Sequence, residues 1–327
     1  MINAFACDGG HLRRVSETGA ADALRSAAWI DLVSAGPAEV KRVQEATGLR
    51  IPTEAEVSEI ENSSRLAIRD GVLYLSLQLV NRENGGARGV SAGLVLSPER
   101  LITVRFAPNT IFDNFAVHAM SGEGQQDSPG HILVGLLEAI VDRQADALEV
   151  VRNDLDDLSH TVFSMGMGKA GGRKQEDATL RQTLGALGRI SDLISHVRDT
   201  QTGAARIVPF VGTMAATWLP KDLRPRLKTL RQDIASIQDF ETHLTNKLQF
   251  LLDATLGFIN IAQNNVMKVM AIASVVGIPP VLIAGIYGMN FKAMPELEWT
   301  YGYAYGWGLI ILTTVIPLVV FRVKKWI

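Results

Sequence analysis

The chain has 327 residues, 20% charged and 47% hydrophobic, with a formal net charge of −2 and one cysteine, Cys7. That length allows two or three domains. The near-neutral balance offers no basic surface for a nucleic-acid partner, and a lone cysteine excludes an internal disulfide and any CxxC metal or redox motif. The averages conceal an asymmetry: beyond Lys268 the sequence carries no charge until Arg322 except Lys292, Glu296 and Glu298. The N-terminus lacks a basic segment and its apolar run is short, so no signal peptide is expected.

The first part of the chain reads as mixed α and β. Ala27 to Val33 forms a buried strand, and Pro37 opens a helix through Gln44 that Gly48 stops. Leu66–Arg69 and Val72–Val80 flank Asp70-Gly71, a two-residue hairpin signal. Leu73, Leu75, Leu77 and Leu79 alternate as one buried sheet face requires. Leu94–Leu96 and Leu101–Val104 flank Ser97-Pro98-Glu99-Arg100, a second hairpin. From His131 the period turns helical, with Ile132, Leu136, Ile140 and Leu148 on one face and Asp154, Asp156 and Asp157 near its end. Those acids suit a solvated face or a cation sensor. A glycine-rich break over 166–172 precedes a second helix, roughly Glu176 to Thr200. A third, very long helix starts near Pro220. Its apolar residues Leu227, Leu230, Ile234, Ile237, Leu244, Leu248 and Leu251 step by three and four, with one turn skipped around Phe240. So narrow a stripe is a packing seam between helices.

Val269–Tyr287 is uncharged and near the minimum length for a membrane span, and Tyr301–Phe321 is a second such run. Tyr301, Tyr303, Tyr305 and Trp307 at its start suit an interfacial belt. Lys247 and Lys268 precede the first span, and Arg322, Lys324 and Lys325 follow the second. The positive-inside rule then places both termini in the cytoplasm and the loop Gly288–Thr300 outside. Gly302 and Gly306 form a GxxxG pair that permits close helix approach. The expected organisation is an α+β cytoplasmic domain over 1–125, a helical region with a long stalk over 126–264, spans at 265–287 and 301–321, an outer loop at 288–300 and a basic tail at 322–327.

No catalytic constellation is present. The six histidines are scattered without metal-ligand spacing. Gly166-Met167-Gly168-Lys169-Ala170-Gly171 matches GxGxxG, but a helix rather than a strand precedes it. The chain is not expected to be an enzyme.

Tyr287-Gly288-Met289-Asn290-Phe291, with Met294-Pro295-Glu296-Leu297 after it, stands at the end of the first of two C-terminal spans. In that position it resembles the CorA family of divalent-cation channels. Gly257–Asn264 and the closing Lys324-Lys325-Trp326-Ile327 are also similar. The resemblance implies a homopentamer with a funnel-shaped cytoplasmic domain in the inner membrane, contacting membrane lipids, its pore lined by the first span. It also implies passive influx of Mg²⁺, with Co²⁺ or Ni²⁺ admitted and cytoplasmic Mg²⁺ as the gating signal. Gly288, Met289 and Asn290 are then the selectivity filter, and Glu296 belongs to the outer loop.

Mg²⁺ sheds water reluctantly, so a ring of neutral acceptors such as the Asn290 carbonyl oxygen can hold the hydrated ion without trapping it. Read alone, Asn290 equally suits a helix C-cap. Asn264, Met267, Met270, Ser274, Ile278, Val281 and Gly285 lie on one stripe of the first span. Asn264 suits a second acceptor ring, and Met267 and Met270 a constriction that gates by dewetting; ordinary helix packing is the competing account. For regulatory Mg²⁺ the stalk carboxylates Asp233 and Asp239 are candidates. A zinc transporter of the ZntB branch and a membrane-anchored cytoplasmic sensor without a pore are the alternatives.

Overall fold

The computed structural model describes residues 1–15, 21–59, 65–83, 86–122, 124–166, 173–290, 294–295, 298–324 and 326. They form two compact units, Met1–Leu252 and Asp253–Ile327.

The first unit is built on one sheet. Its strands are β1 (Ile2–Asp8), β2 (His11–Arg14), β3 (Trp29–Val33), β4 (Leu66–Arg69), β5 (Val72–Glu83), β6 (Gly86–Leu96) and β7 (Leu101–Arg105), in the order β2-β1-β3-β7-β6-β5-β4. Neighbours are antiparallel except β3 and β7, which run parallel. The hairpin expected at Asp70-Gly71 is present, with φ of 52° and 77° at the two turn residues and Arg69 opposite Val72. Positive φ at both central residues gives the turn whose twist matches the strands. Gly9 and Gly10, φ 59° and 89°, close an equivalent turn between β1 and β2.

Both sheet faces are covered. Leu73, Leu75, Leu77 and Leu79 of β5, with Leu94 and Leu96 of β6, pack on one face against the long helices α5 (Pro129–Gly166) and α6 (Arg173–Met214). The helix α4 (Thr110–Ser121) adds Phe112 and Phe115 to that core. Residues of opposite parity, Ile30, Leu32, Val95, Ile102 and Val104, pack on the other face with Leu24 of α1 (Ala21–Ser26) and Val43 of α2 (Pro37–Thr47). A short helix α3 (Glu54–Ser58), capped by Thr53, lies before β4. At Gly203 of α6 an added Cβ would stand 3.0 Å from the Leu77 side chain, so only glycine lets the helix lie this close to the sheet.

One ion pair is sealed into the parallel β3–β7 pair. Asp31 and Arg105, each 2% exposed, join through Arg105 Nε and Nη2, which donate to the carboxylate at 3.0 and 2.5 Å. Thr103 Oγ1 donates to the same carboxylate at 2.7 Å and accepts from Trp29 Nε1 at 3.1 Å. Arg105 Nη1 donates to the Asn109 carbonyl at 2.9 Å and Nη2 to Asp113 at 3.0 Å. The guanidinium thereby ties β3, β7 and the start of α4 together. Removing Asp31 leaves the buried guanidinium with only the exposed Asp113 as counter-charge. Asp31→Ala should therefore destabilise the first unit by about 3–5 kcal/mol, read from denaturant unfolding followed at Trp29; a loss below about 1 kcal/mol would refute this account.

The second unit contains the end of α7 (Leu223–Tyr287) and all of α8 (Gly302–Val323). Among the described residues these are the two helices long and apolar enough to cross a membrane.

Candidate pore helix and its outer loop

The helix α7 has 65 residues and no break. Its first part belongs to a seam. Leu227, Leu230, Ile234, Leu244, Leu248 and Leu251 are buried, the last three against Leu148, Val151 and Leu155 of α5 and Leu187, Ile190 and Ile194 of α6. The seam expected from three-and-four spacing is present. The turn skipped in the apolar stripe is also accounted for: the residue that fills it is Glu241, 3% exposed.

The seven residues Asn264, Met267, Met270, Ser274, Ile278, Val281 and Gly285 are all exposed in the single chain. The half-buried residues of the same segment are Ile272, Val276, Pro279, Pro280, Ile283 and Tyr287. At about 100° per residue these two sets lie on opposite sides of the helix. The stripe thus faces away from whatever the chain itself covers. Met267 and Met270 are each 67% exposed, Ile278 63% and Val281 72%. An apolar row of this kind, interrupted by Ser274 and flanked by Asn264 and Gly285, is left uncovered by the described residues of one chain.

Pro279 and Pro280 sit inside α7 without ending it. Neither can donate an amide, so the carbonyls of Val275 and Val276 lose their usual i+4 partner. Ser274 Oγ donates back to the Met270 carbonyl at 2.9 Å.

The helix closes at the motif. Gly288 N donates to the Ala284 carbonyl at 3.0 Å and Met289 N to the Ile286 carbonyl at 3.2 Å. A Cβ on Gly288 would lie 3.1 Å from the Ala284 oxygen and 3.5 Å from that of Gly285, crowding the final carbonyls. These backbone bonds end the helix, and the exposed Asn290 follows them. Met289 is 46% exposed. Glu296, with Lys292, falls outside the described residues. Trp299 meets the rings of Tyr301 and Tyr305 at centroid distances of 6.2 and 5.8 Å, the aromatic cluster that opens α8. At the other end Phe321 stacks on Trp326, and Arg322 and Lys324 are exposed.

The stalk acids divide into exposed and buried. Asp233 and Asp239 are exposed, whereas Glu241 is not. Burial pushes the Asp142 carboxyl above its usual range, and the charges of Glu138 and Asp146 on α5 and Asp233 on α7 add to the shift. Asp233 thus faces a row of α5 acids that spacing along one helix could not reveal. Among the described residues no three Asp, Glu, His or Cys side chains gather closely enough in one chain to hold a metal ion. Near the start of both long helices His131 Nε2 meets Asp222 at 2.7 Å, and Arg226 Nε donates to Glu138 at 3.0 Å, holding α5 and α7 side by side.

Known proteins match this arrangement over its whole length. The family model for "CorA-like Mg2+ transporter protein" matches residues 25–325. The magnesium transport protein CorA of Pasteurella multocida is 31% identical over 328 residues, covering all of both chains. The solved structure of the CorA magnesium transporter from Methanocaldococcus jannaschii matches with a TM-score of 0.74 at 16% identity, over 100% of this chain and 99% of that one. The cytoplasmic domain of ZntB from Vibrio parahaemolyticus shares the fold less closely, with a TM-score of 0.54 at 12% identity over 79% of this chain and 97% of that one. The chain belongs to the CorA-like Mg²⁺ transporter family, and its two apolar C-terminal helices are its membrane spans.

Proposed function

We propose that this chain forms a channel that passes Mg²⁺ into the cell down its electrochemical gradient. The observation that carries this reading is the exposed stripe of α7, which lies on the side of the helix opposite the half-buried one. Copies of the chain around a common axis give that stripe a partner, namely itself across a water-filled path. Five copies, with the pore lined from Asn264 to Gly285, is the assembly we adopt. Polar Asn264 lies at the inner mouth, and Met267 and Met270 next to it form a narrow apolar ring that opposes passage of a hydrated ion until it wets. Carbonyls freed by Pro279 and Pro280 are tolerable at membrane depth where they face protein or a wet cavity.

Asn290 follows the last backbone bond of the helix, so five Asn290 side chains, with carbonyls of Gly288 and Met289, make a ring of neutral acceptors at the outer mouth. Neutral oxygens bind the water shell of Mg²⁺ rather than the bare ion. Co²⁺ and Ni²⁺, similarly hydrated, are further substrates in this reading. Glu296 adds negative charge to the outer loop and raises the local cation concentration. Both termini lie in the cytoplasm, with the membrane being the inner one. Transport, not catalysis, is the function this arrangement serves. The full-length match to a magnesium transport protein supports Mg²⁺ over Zn²⁺ as the ion carried.

Asn290→Ala should abolish Mg²⁺ uptake into liposomes that contain only the purified protein, while leaving assembly intact. Normal uptake by the assembled variant would remove Asn290 from the filter, and no Mg²⁺ flux through the wild type would overturn the channel reading.

The orientation has its own test. With Cys7 replaced, a cysteine at position 292 should react with an impermeant thiol reagent in intact cells, and one at position 324 should not. The reverse pattern would invert the topology.

Regulatory Mg²⁺ is assigned to the stalk, with Asp233 and Asp239 as ligands through water or between subunits. The raised Asp142 carboxyl marks where negative charge is crowded. A carboxyl raised in the folded state favours folding when protonated, and that contribution is lost as pH climbs through the raised value. Ionised Asp142 therefore costs stability near neutrality. Asp142→Asn should raise the thermal midpoint at about pH 7, with the gain vanishing toward about pH 4. Millimolar Mg²⁺ should stabilise the wild type more than this variant. Equal stabilisation by Mg²⁺ would mean that the acids around Asp142 and Asp233 do not sense it.

A further inference from the structure

Seven apolar residues of α7, from Leu227 to Leu251, follow intervals of three and four except at one place, between Ile237 and Leu244. Glu241 occupies that place and restores the spacing. It is 3% exposed, so a carboxylate stands at a core position of a heptad seam where a leucine would pack. Its neighbours in the seam are apolar: Phe240, Leu244 and Leu248 of α7, and Val197 and Ile194 of α6, belong to the same cluster.

Desolvating a carboxylate there is costly unless it is matched. The match comes from one residue of α6. Arg198 Nε donates to the two Glu241 oxygens at 3.0 and 3.2 Å, and Nη2 donates to Oε1 at 2.6 Å. Thr245 Oγ1, one turn along α7, donates at 3.1 Å. The two partners are unequally placed: the Glu241 side chain is 4% exposed, and that of Arg198 is 54% exposed. The anion is dry and the cation is wet. The hydrogen bonds to Glu241 and its charge raise the Arg198 pKa, so the guanidinium stays charged throughout the physiological range.

We infer that Arg198 and Glu241 are a register lock between α6 and the proposed pore helix, and that they are positioning residues for transport. A seam of repeated leucines is degenerate, because sliding one helix by a heptad restores similar apolar contacts. A single charged position is not degenerate. Slippage sets the carboxylate against leucine side chains without its counter-charge, so one axial placement is singled out. Fixing register is the best-attested use of a buried polar group in such a seam. No break separates position 241 from position 264, about 35 Å further along α7. Glu241 and the stripe that begins at Asn264 thus belong to the same helix, through which a shift of the seam would act. Any conducting transition that moves α7 against α6 has to break or re-form this pair. The inference rests on the channel reading above.

The test uses the full-length protein in liposomes, with Mg²⁺ flux normalised to assembled channels. Arg198→Met combined with Glu241→Leu converts the lock into an ordinary apolar layer. This double variant should assemble with a thermal midpoint no lower than the wild type, since it removes the buried Glu241 carboxylate and its desolvation cost together with its partner. Its flux should nevertheless differ from the wild type by about fivefold or more, a common size for coupling between sites. Arg198→Lys, which keeps the charge but not the fork, should fall between. Glu241→Gln retains the shape and removes the charge, and its flux should shift in the same direction as the double variant's. Wild-type flux in the double variant, or in Glu241→Gln should the double variant not assemble, would reduce the pair to a structural contact and overturn the inference. Absence of flux from the wild type would instead sink the channel reading on which the lock depends.

Discussion

The constraint that orders this molecule is that α7 must remain one helix in two solvents. In water its stability comes from packing an apolar seam against other helices. In the membrane there is no water to accept an unsatisfied amide, so the backbone has to satisfy itself. The sequence meets both demands without a break from Leu223 to Tyr287. The apolar stripe of the first half buries leucines against α5 and α6. Beyond Lys268 the helix is apolar on all sides except at Ser274, and the amides bond along the helix. The two prolines fall in the second half, and the helix continues through both of them.

The sheet and the long helices of the first unit are tied together by specific contacts. The buried Asp31–Arg105 pair joins the central parallel strands to α4, and α5 and α6 lie over that sheet. Glycine at 203 lets α6 settle onto β5 without a side chain between them. The helices α5 and α6 that α7 packs against are thus themselves packed on the sheet.

Much of this was legible in the sequence because it rests on periodicity. The period-two leucines of β5, the Asp70-Gly71 turn, the seam of α7 and the two apolar spans are all local patterns. The hairpin of β1 and β2, the helix α4 and the first half of β6 were not anticipated. Gly9-Gly10 was a usable turn signal, but β2 is only four residues long and mostly exposed, and α4 is packed by aromatic residues without a long repeat. The helix α6 runs to Met214, past the expected end near Thr200, carrying Pro209 within it. At the site, the stripe from Asn264 to Gly285 could be written down from spacing alone. Its relation to the covered face of the helix could not, because that depends on which side the chain buries. Nor could spacing along one helix reveal that Asp233 stands opposite Asp142, or that the gap in the apolar stripe conceals a buried Glu241. In the last case the gap itself was the signal: a missing apolar residue at a heptad position is a place to look for a buried polar one.

The carboxylates of α7 show how burial changes the meaning of one functional group. Asp233 and Asp239 face water, where a charge costs little and remains free to meet a hydrated cation. Glu241 is enclosed, and its charge is matched by Arg198 with a further hydrogen bond from Thr245. A third solution follows the last turn of the helix, where Asn290 presents an oxygen without a charge. Two of these positions are on α7 and the third lies just past its end, and they differ in burial as well as in charge. A reading from residue type alone would have ranked Glu241 and Asp239 together. What separates them is two residues of helix, about 200° of rotation, and the side of the seam on which each one falls.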